Sequence, residues 1–340
     1  MTTWTNACKA NGTVRLLIPN ATFSVGPLIF NGPCQGSMVV EVMGVLKALT
    51  YNNSNGWVMF ENIEGLTITG GGTFDGQGAS AWSQNVSSLR ILPTSIQLGK
   101  VINATVSDIR SLNSKLFHMT VGDSKNIVLQ NLTFTAPADS PNTDGIHIGR
   151  STNVTITDST ISTGDDCIAF LSGSTNVSVS NIQCGPGHGI SIGSLGRFPN
   201  DEDVSGLTIS NCTLTRTQNG VRIKTWPRPN ASLVHNITFE NIIMNDVHNP
   251  IIIDQQYNPR YSVNMTSSHV QISNVSFRNI KGTSVSTVAV SLVCSDSVPC
   301  QNVELENIDL KFYKKGKKTN AVCVNVNGSS SGVENPPSCL

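Results

Sequence analysis

Asn126-Ile-Val-Leu-Gln-Asn-Leu132 contains the unit from which this chain is built: an Asn, alternating apolar positions, a second Asn and one more apolar residue. The pattern also fits Gly65-Leu-Thr-Ile68, Asn103-Ala-Thr-Val-Ser-Asp-Ile109, Asn153-Val-Thr-Ile156 and Asn176-Val-Ser-Val-Ser-Asn-Ile182. It continues through Gly206-Leu-Thr-Ile-Ser-Asn-Cys212, Asn236-Ile-Thr-Phe-Glu-Asn-Ile242, Asn274-Val-Ser-Phe-Arg-Asn-Ile280 and Asn302-Val-Glu-Leu-Glu-Asn-Ile308. From Asn103 the copies start 23, 27, 23, 30, 30, 38 and 28 residues apart. Alternation with period two is a strand signal and fits no helical wheel; a repeat of this length is that of a solenoid whose coils stack at about 4.8 Å. The expected fold is all-β, a right-handed parallel β-helix in a single domain over residues 1–340. Val, Ile, Leu and Phe would face inward, and Asn at matching corners would form hydrogen-bonded ladders.

Composition agrees with that fold. The chain has 340 residues, formal net charge +0 and 13% charged side chains, which favours neither a nucleic-acid partner nor a helical protein. No apolar run is long enough for a membrane span, and the first residues lack the basic and apolar regions of a signal peptide. An open solenoid end exposes strand edges, so the stretch from Thr3 to Lys9 is read as an amphipathic cap ahead of strands at Thr13-Val-Arg-Leu-Leu-Ile18 and Ala21-Thr-Phe-Ser24. Nine cysteines and fourteen Asn-x-Ser/Thr sequons, among them Asn11, Asn20, Asn85, Asn103, Asn230 and Asn264, point to a secreted protein. A chain rich in Asn, Ser and Thr generates many sequons by chance, so only a minority are expected to carry glycan.

Four short signatures end successive apolar runs: Asn142-Thr143-Asp144, Gly164-Asp165-Asp166, Gly187-His188-Gly189 and Arg222-Ile223-Lys224. Asp144 precedes Asp165 by 21 residues, Asp166 precedes His188 by 22, and His188 precedes Arg222 by 34. Residues one coil apart face the same way, so Asp144, Asp165 or Asp166, and His188 are expected to line one groove. Neighbouring carboxylates cannot all ionise independently, and an acid and a base at one pH are what glycosidic hydrolysis requires. Gly-Asp-Asp is also ordinary turn punctuation, and a lone His between glycines is often only a turn residue. Arg222 and Lys224, two apart on a strand, leave the same face and suit a sugar carboxylate, although such a pair is elsewhere a surface ion pair of little energetic weight.

In their contexts, Ser140-Pro-Asn-Thr-Asp-Gly-Ile-His147, Thr163-Gly-Asp-Asp-Cys167, Cys184-Gly-Pro-Gly-His-Gly-Ile-Ser191 and Val221-Arg-Ile-Lys-Thr-Trp226, these signatures resemble those of the polygalacturonases, the pectin-cleaving glycoside hydrolases. The similarity runs from about Cys8 to Cys339 and looks closest to plant pollen-type members, which are usually exo-acting. The resemblance implies a secreted, cell-wall hydrolase of α-1,4-galacturonosyl linkages that inverts the anomeric centre, with its catalytic coils at about 140–260. It implies Asp165 as general acid and Asp144 and Asp166 as the groups that position and deprotonate water. His188 would tune the acid; Arg222, Lys224 and Tyr257 would bind uronate, and Asn142 would serve as a neighbouring subsite residue. His147 and Arg150 lie near the groove by sequence. It also implies the disulfides Cys8–Cys34, Cys167–Cys184, Cys294–Cys300 and Cys323–Cys339, leaving Cys212 as a buried free thiol.

Plant members carry an extra N-terminal segment, so a removed leader and a shortened first coil are expected. The stretch Tyr257 to Val263 lacks the paired cysteines of many plant members, which implies a freer loop. Ile168-Ala-Phe-Leu-Ser-Gly173 replaces the usual Ile-Ser-Ile-Gly beneath the acid, altering its packing. The Lys314-Lys315-Gly316-Lys317-Lys318 run reads as a solvated hairpin tip. Pectin or polygalacturonate is the expected partner of a monomer, with no cofactor, metal, nucleic acid or membrane. Three readings compete: an endo-acting hydrolase, a calcium-dependent pectate lyase on the same solenoid, whose metal would need several carboxylates at one point, and a catalytically silent wall-binding protein or allergen.

Overall fold

The computed structural model describes residues 2–49, 55–82, 92–257 and 266–340. The expected loop from Tyr257 to Val263 therefore lies, beyond Tyr257, outside the described residues, as do the sequons at Asn85 and Asn264. The chain divides into two compact units, residues 1–166 and 167–340, and each is a parallel β-helix.

In the first unit every coil contributes to three parallel ladders. The first stacks Thr13–Ile18, Ser37–Val42, Glu64–Thr69, Ile102–Ser107, Lys125–Gln130 and Thr152–Thr157. The second stacks Leu28–Asn31, Gly56–Glu61, Thr94–Gly99, Met119–Gly122 and Ile146–Gly149. Short third strands such as Arg110–Leu112, Thr133–Thr135 and Thr160–Ser162 close the coil. Register puts Ile68, Val106, Leu129 and Ile156 one above another, all fully buried. A parallel sheet is normally covered by helices; here the other walls of the coil cover it instead.

The second unit repeats the plan with longer strands: Thr175–Ser180, Val204–Ser210, Ser232–Val247, Val270–Ser284, Cys300–Phe312 and Val326–Asn335 form one ladder. Ile168–Phe170, Ile190–Leu195, Asn219–Thr225, Asn249–Asp254, Val288–Val293 and Asn320–Val324 form another. Phe239 and Phe277 are in register and stack at 5.2 Å inside it. Ala169 and Phe170, where the chain departs from the family pattern, lie with Ile168 on a buried strand.

The repeated Asn is a corner residue. Asn103, Asn126, Asn153, Asn176, Asn236, Asn274 and Asn302 all have φ between 51° and 59°, the left-handed region that Asn tolerates better than other side-chain-bearing residues. Gly206, with φ 68°, fills the same corner where the pattern drops its Asn, because a residue without Cβ pays nothing there. The corners are tied coil to coil: Asn126 Nδ2 donates to Asn103 Oδ1 at 2.8 Å and Asn153 Nδ2 to Asn126 Oδ1 at 3.0 Å. In the second unit Asn302 donates to Asn274 at 2.7 Å and Asn274 to Asn236 at 3.2 Å. The expected ladders are therefore present.

The N-terminal cap is a short helix, Thr2–Cys8. Trp4 lies edge-on to Phe30 at 4.9 Å and its indole donates to Asn31 O at 3.0 Å, covering the open end of the core. Four disulfides join Cys8–Cys34, Cys167–Cys184, Cys294–Cys300 and Cys323–Cys339. Cys212 is buried and unbridged, with burial pushing its thiol up to about 11. No described helix is long and apolar enough to cross a membrane.

Candidate active site

The short strands Thr133–Thr135 and Thr160–Ser162 are followed by residues 136–145 and 163–166, two turns that stack on each other. Gly145 N donates to Asp166 O at 2.9 Å, and Gly164 N donates to Thr143 Oγ1 at 2.9 Å. Gly164 is obligatory for this approach, since a Cβ there would stand 2.0 Å from Ser140 O. These contacts bring Asn142, Asp144, Asp165 and Asp166 together. Asn142, itself at φ 51°, donates from Nδ2 to Asp165 Oδ2 at 3.4 Å across the coil spacing. Asp165 Oδ1 accepts the amide of Asp166 at 2.8 Å.

The carboxylates differ in exposure. Asp165 is half-buried, whereas Asp144 is 5% and Asp166 1% exposed. Burial raises the Asp144 pKa, because water is lost around its charge; His147 opposes this, and the Asp165 and Asp166 charges add to it. His147 Nε2 lies 2.8 Å from Asp144 Oδ2, and its ring packs on Phe117 at 3.8 Å between centroids. Asp144 Oδ1 is buried with no hydrogen-bond partner among the described residues. A buried acceptor left unpaired is costly and uncommon in a merely structural carboxylate.

The sequence places His147 near the groove but not in contact with Asp144. The signal was available: it follows Asp144 by three residues, on the strand Ile146–Gly149 with its side chain outward between buried Ile146 and Ile148. Arg150 instead pairs with Asp123, Nε at 2.7 Å and Nη2 at 3.0 Å, at the next corner.

The second unit carries the cationic residues. Val221 and Ile223 are fully buried, so Arg222 and Lys224 alternate to the other face of the strand Asn219–Thr225. Arg222 Nε donates to Ser191 Oγ at 3.1 Å on the neighbouring strand, whose register pairs Ser191 with Arg222. Tyr257 gathers both cations: Arg222 Cζ is 5.9 Å and Lys224 Nζ 5.2 Å from its ring centre. Asp254, opposite Lys224 in register, has its pKa raised by burial, against the Gln256 amide and the Arg222 charge. His188 is half-buried, three residues before Ser191, between Gly187 and Gly189 with φ of 152° and 90°. A Cβ at Gly189 would meet Asn219 O at 2.1 Å, so the chain at His188 lies hard against the next coil.

The donors of the first unit are hard oxygens, as a divalent cation would prefer. Asp144 Oδ2 is engaged by His147, and Asp165 Oδ1 accepts the amide of Asp166.

The family model described as "Glycosyl hydrolases family 28" matches residues 8–336. An exopolygalacturonase of Arabidopsis thaliana is 46% identical over 76% of this chain, which spans 63% of that relative's length. An exopolygalacturonase of Oenothera organensis is 44% identical over 99% of this chain and 96% of its own. Among solved structures, the endo-xylogalacturonan hydrolase of Aspergillus tubingensis superposes with a TM-score of 0.80 at 25% identity, covering 94% of this chain and 92% of the other.

Proposed function

Since this chain belongs to the glycosyl hydrolases family 28, we propose that it hydrolyses α-1,4-galacturonosyl linkages of de-esterified pectin, with inversion and by release of single galacturonate residues from the non-reducing end. The observation that carries the reading is the stack of two turns in which a buried, unpaired Asp144 oxygen stands beside Asp165 and Asp166. The exo-acting relatives favour the mode of attack. The protein is taken to act as a secreted, single-domain monomer at the cell wall, consistent with its disulfides.

Asp165, the most exposed of the three, protonates the glycosidic oxygen as the sugar bond breaks. Asp144 and Asp166 orient a water molecule and take its proton as the new bond forms on the opposite face of the ring. The raised pKa of Asp144 fits the base role: a carboxylate closer to the working pH accepts a proton more readily than an ordinary one, provided the medium keeps it ionised. His147 holds it in place and limits the rise. Arg222 and Lys224 bind the sugar carboxylate, with Tyr257 shaping the pocket against them; Asn142 steadies Asp165 and contributes a subsite contact, and His188 assists the acid's proton inventory.

Product analysis tests the reading. The protein and its Asp165→Asn variant are incubated with polygalacturonate in chelator, and the products are separated. Monogalacturonate from the parent alone is expected. A spread of early oligomers would make the enzyme endo-acting, and unsaturated products a lyase. Binding without any product would leave a silent wall protein.

A further inference from the structure

The aromatic and cationic strip does not end at Tyr257. Trp226 meets Tyr257 edge-to-face at 5.8 Å, and it carries two more cations on its indole: Arg197 Cζ at 5.2 Å and Arg228 Cζ at 5.6 Å from the ring centre. Arg197 Cζ also lies 5.2 Å from the ring centre of Phe198. Both arginines are exposed, whereas Trp226 is only 7% exposed and forms a fixed floor.

The loops that bring them are fastened to each other. Trp226 N donates to Leu195 O at 2.8 Å, Asn230 Nδ2 to Gly196 O at 3.1 Å and Arg228 Nη1 to Arg197 O at 3.3 Å. Neither guanidinium has a carboxylate partner among the described residues. The acids nearby are turned to the backbone: Asp201 Oδ2 accepts the amides of Arg197 and Phe198, and Asp203 Oδ1 accepts that of Leu233. Two like charges sharing one ring repel each other, and stacking supplies only part of what a carboxylate would.

We propose that Arg197 and Arg228, mounted on Trp226, form a further anion subsite that takes the carboxylate of a uronate residue beyond the one held by Arg222 and Lys224. This rests on the proposed substrate class. A polyuronate offers carboxylates at regular intervals, and a guanidinium suits them through paired N–H donors. Because the arginines are already stacked, less side-chain freedom is lost when the chain docks. The consequence is a preference for longer chains that originates in unit two alone and is erased by esterification.

The test uses the Asp165→Asn protein, so that ligand is not consumed, and isothermal titration with galacturonate dimer and hexamer. Each exposed charge contact is worth up to roughly fivefold in affinity. Changing both arginines to Ala should therefore lower the hexamer-to-dimer affinity ratio by about tenfold. Arg197→Lys with Arg228→Lys should retain part of the ratio, and raising salt should lower the ratio in the protein with both arginines intact. A fully methyl-esterified hexamer should lose the length advantage. If the hexamer has no advantage over the dimer, or if the double Ala variant keeps the full ratio, the subsite is refuted. These readings use binding only: a parent protein that binds with this length dependence yet releases no sugar would overturn the hydrolase reading and leave the subsite standing.

Discussion

Replacing His147 with Ala should move the acid limb of the pH–rate profile to higher pH. The His147 Nε2 to Asp144 Oδ2 contact, 2.8 Å long between two largely buried groups, stabilises the ionised carboxylate against the burial that raises its pKa. A hydrogen bond to a charged group contributes about 1.5–3 kcal/mol, and about 1.36 kcal/mol corresponds to one pKa unit. Without His147 both Asp144 oxygens lack a partner, so its pKa should climb further. The assay is kcat/KM on polygalacturonate between pH 3 and 8, with His147→Gln as the variant that keeps a donor. Ala should shift the acid limb upward by about one pH unit or more, as loss of one charged hydrogen bond implies, and Gln should restore part of it. Stability has a definite sign. A carboxyl whose folded pKa lies above its unfolded value favours folding at low pH, and that contribution is lost as pH rises through the folded pKa. The Ala variant should therefore melt closest to the parent under acidic conditions and fall furthest behind once Asp144 must ionise. Coincident pH profiles for parent and Ala variant would refute the reasoning.

Other expectations follow from the same contacts. Asp165→Asn should lower kcat by about 10²–10⁴ with little change in melting temperature, as reducing-end release and calorimetry would read, because general acid catalysis is worth that much and the side chain is half-buried. Asn126→Ala should destabilise by about 2–3 kcal/mol, combining left-handed strain with loss of the contacts to Asn103 and Asn153. Asn126→Gly should lose only the hydrogen-bond part in the same urea titration, as Gly206 does the corner's work elsewhere. Removing Cys8–Cys34, which joins residues 26 apart, should lower stability by about 3.5 kcal/mol on the loop-entropy scale. Trp4 fluorescence should then report fraying of the cap first.

The β-helix was legible in the sequence because each rule it obeys is local and is repeated. Alternation fixes which side chains enter the coil, and the left-handed corner selects Asn or Gly at a fixed place in every repeat, so Asn103, Asn126 and Asn153 announce both the strand and the ladder. The catalytic candidates were legible for a related reason: Asp144 and Asp165 occur at one repeat's spacing, so the turns that carry them stack. Three things were not. The contact of His147 with Asp144 depends on how a turn folds back over the strand it feeds, and no spacing rule states that. The capture of Arg150 by Asp123 depends on a corner one coil away. The meeting of Arg197 and Arg228 on Trp226 joins two irregular loops whose sequences share no pattern with the repeat. Sequence by itself determined the coil, its corners and the chemical types offered at each turn, because strand period and backbone φ preference act over a few residues. Only the tertiary structure decided which charges are buried, which are paired and which stand together unpaired, because desolvation and Coulomb energies depend on distances between segments that the chain's local rules leave free.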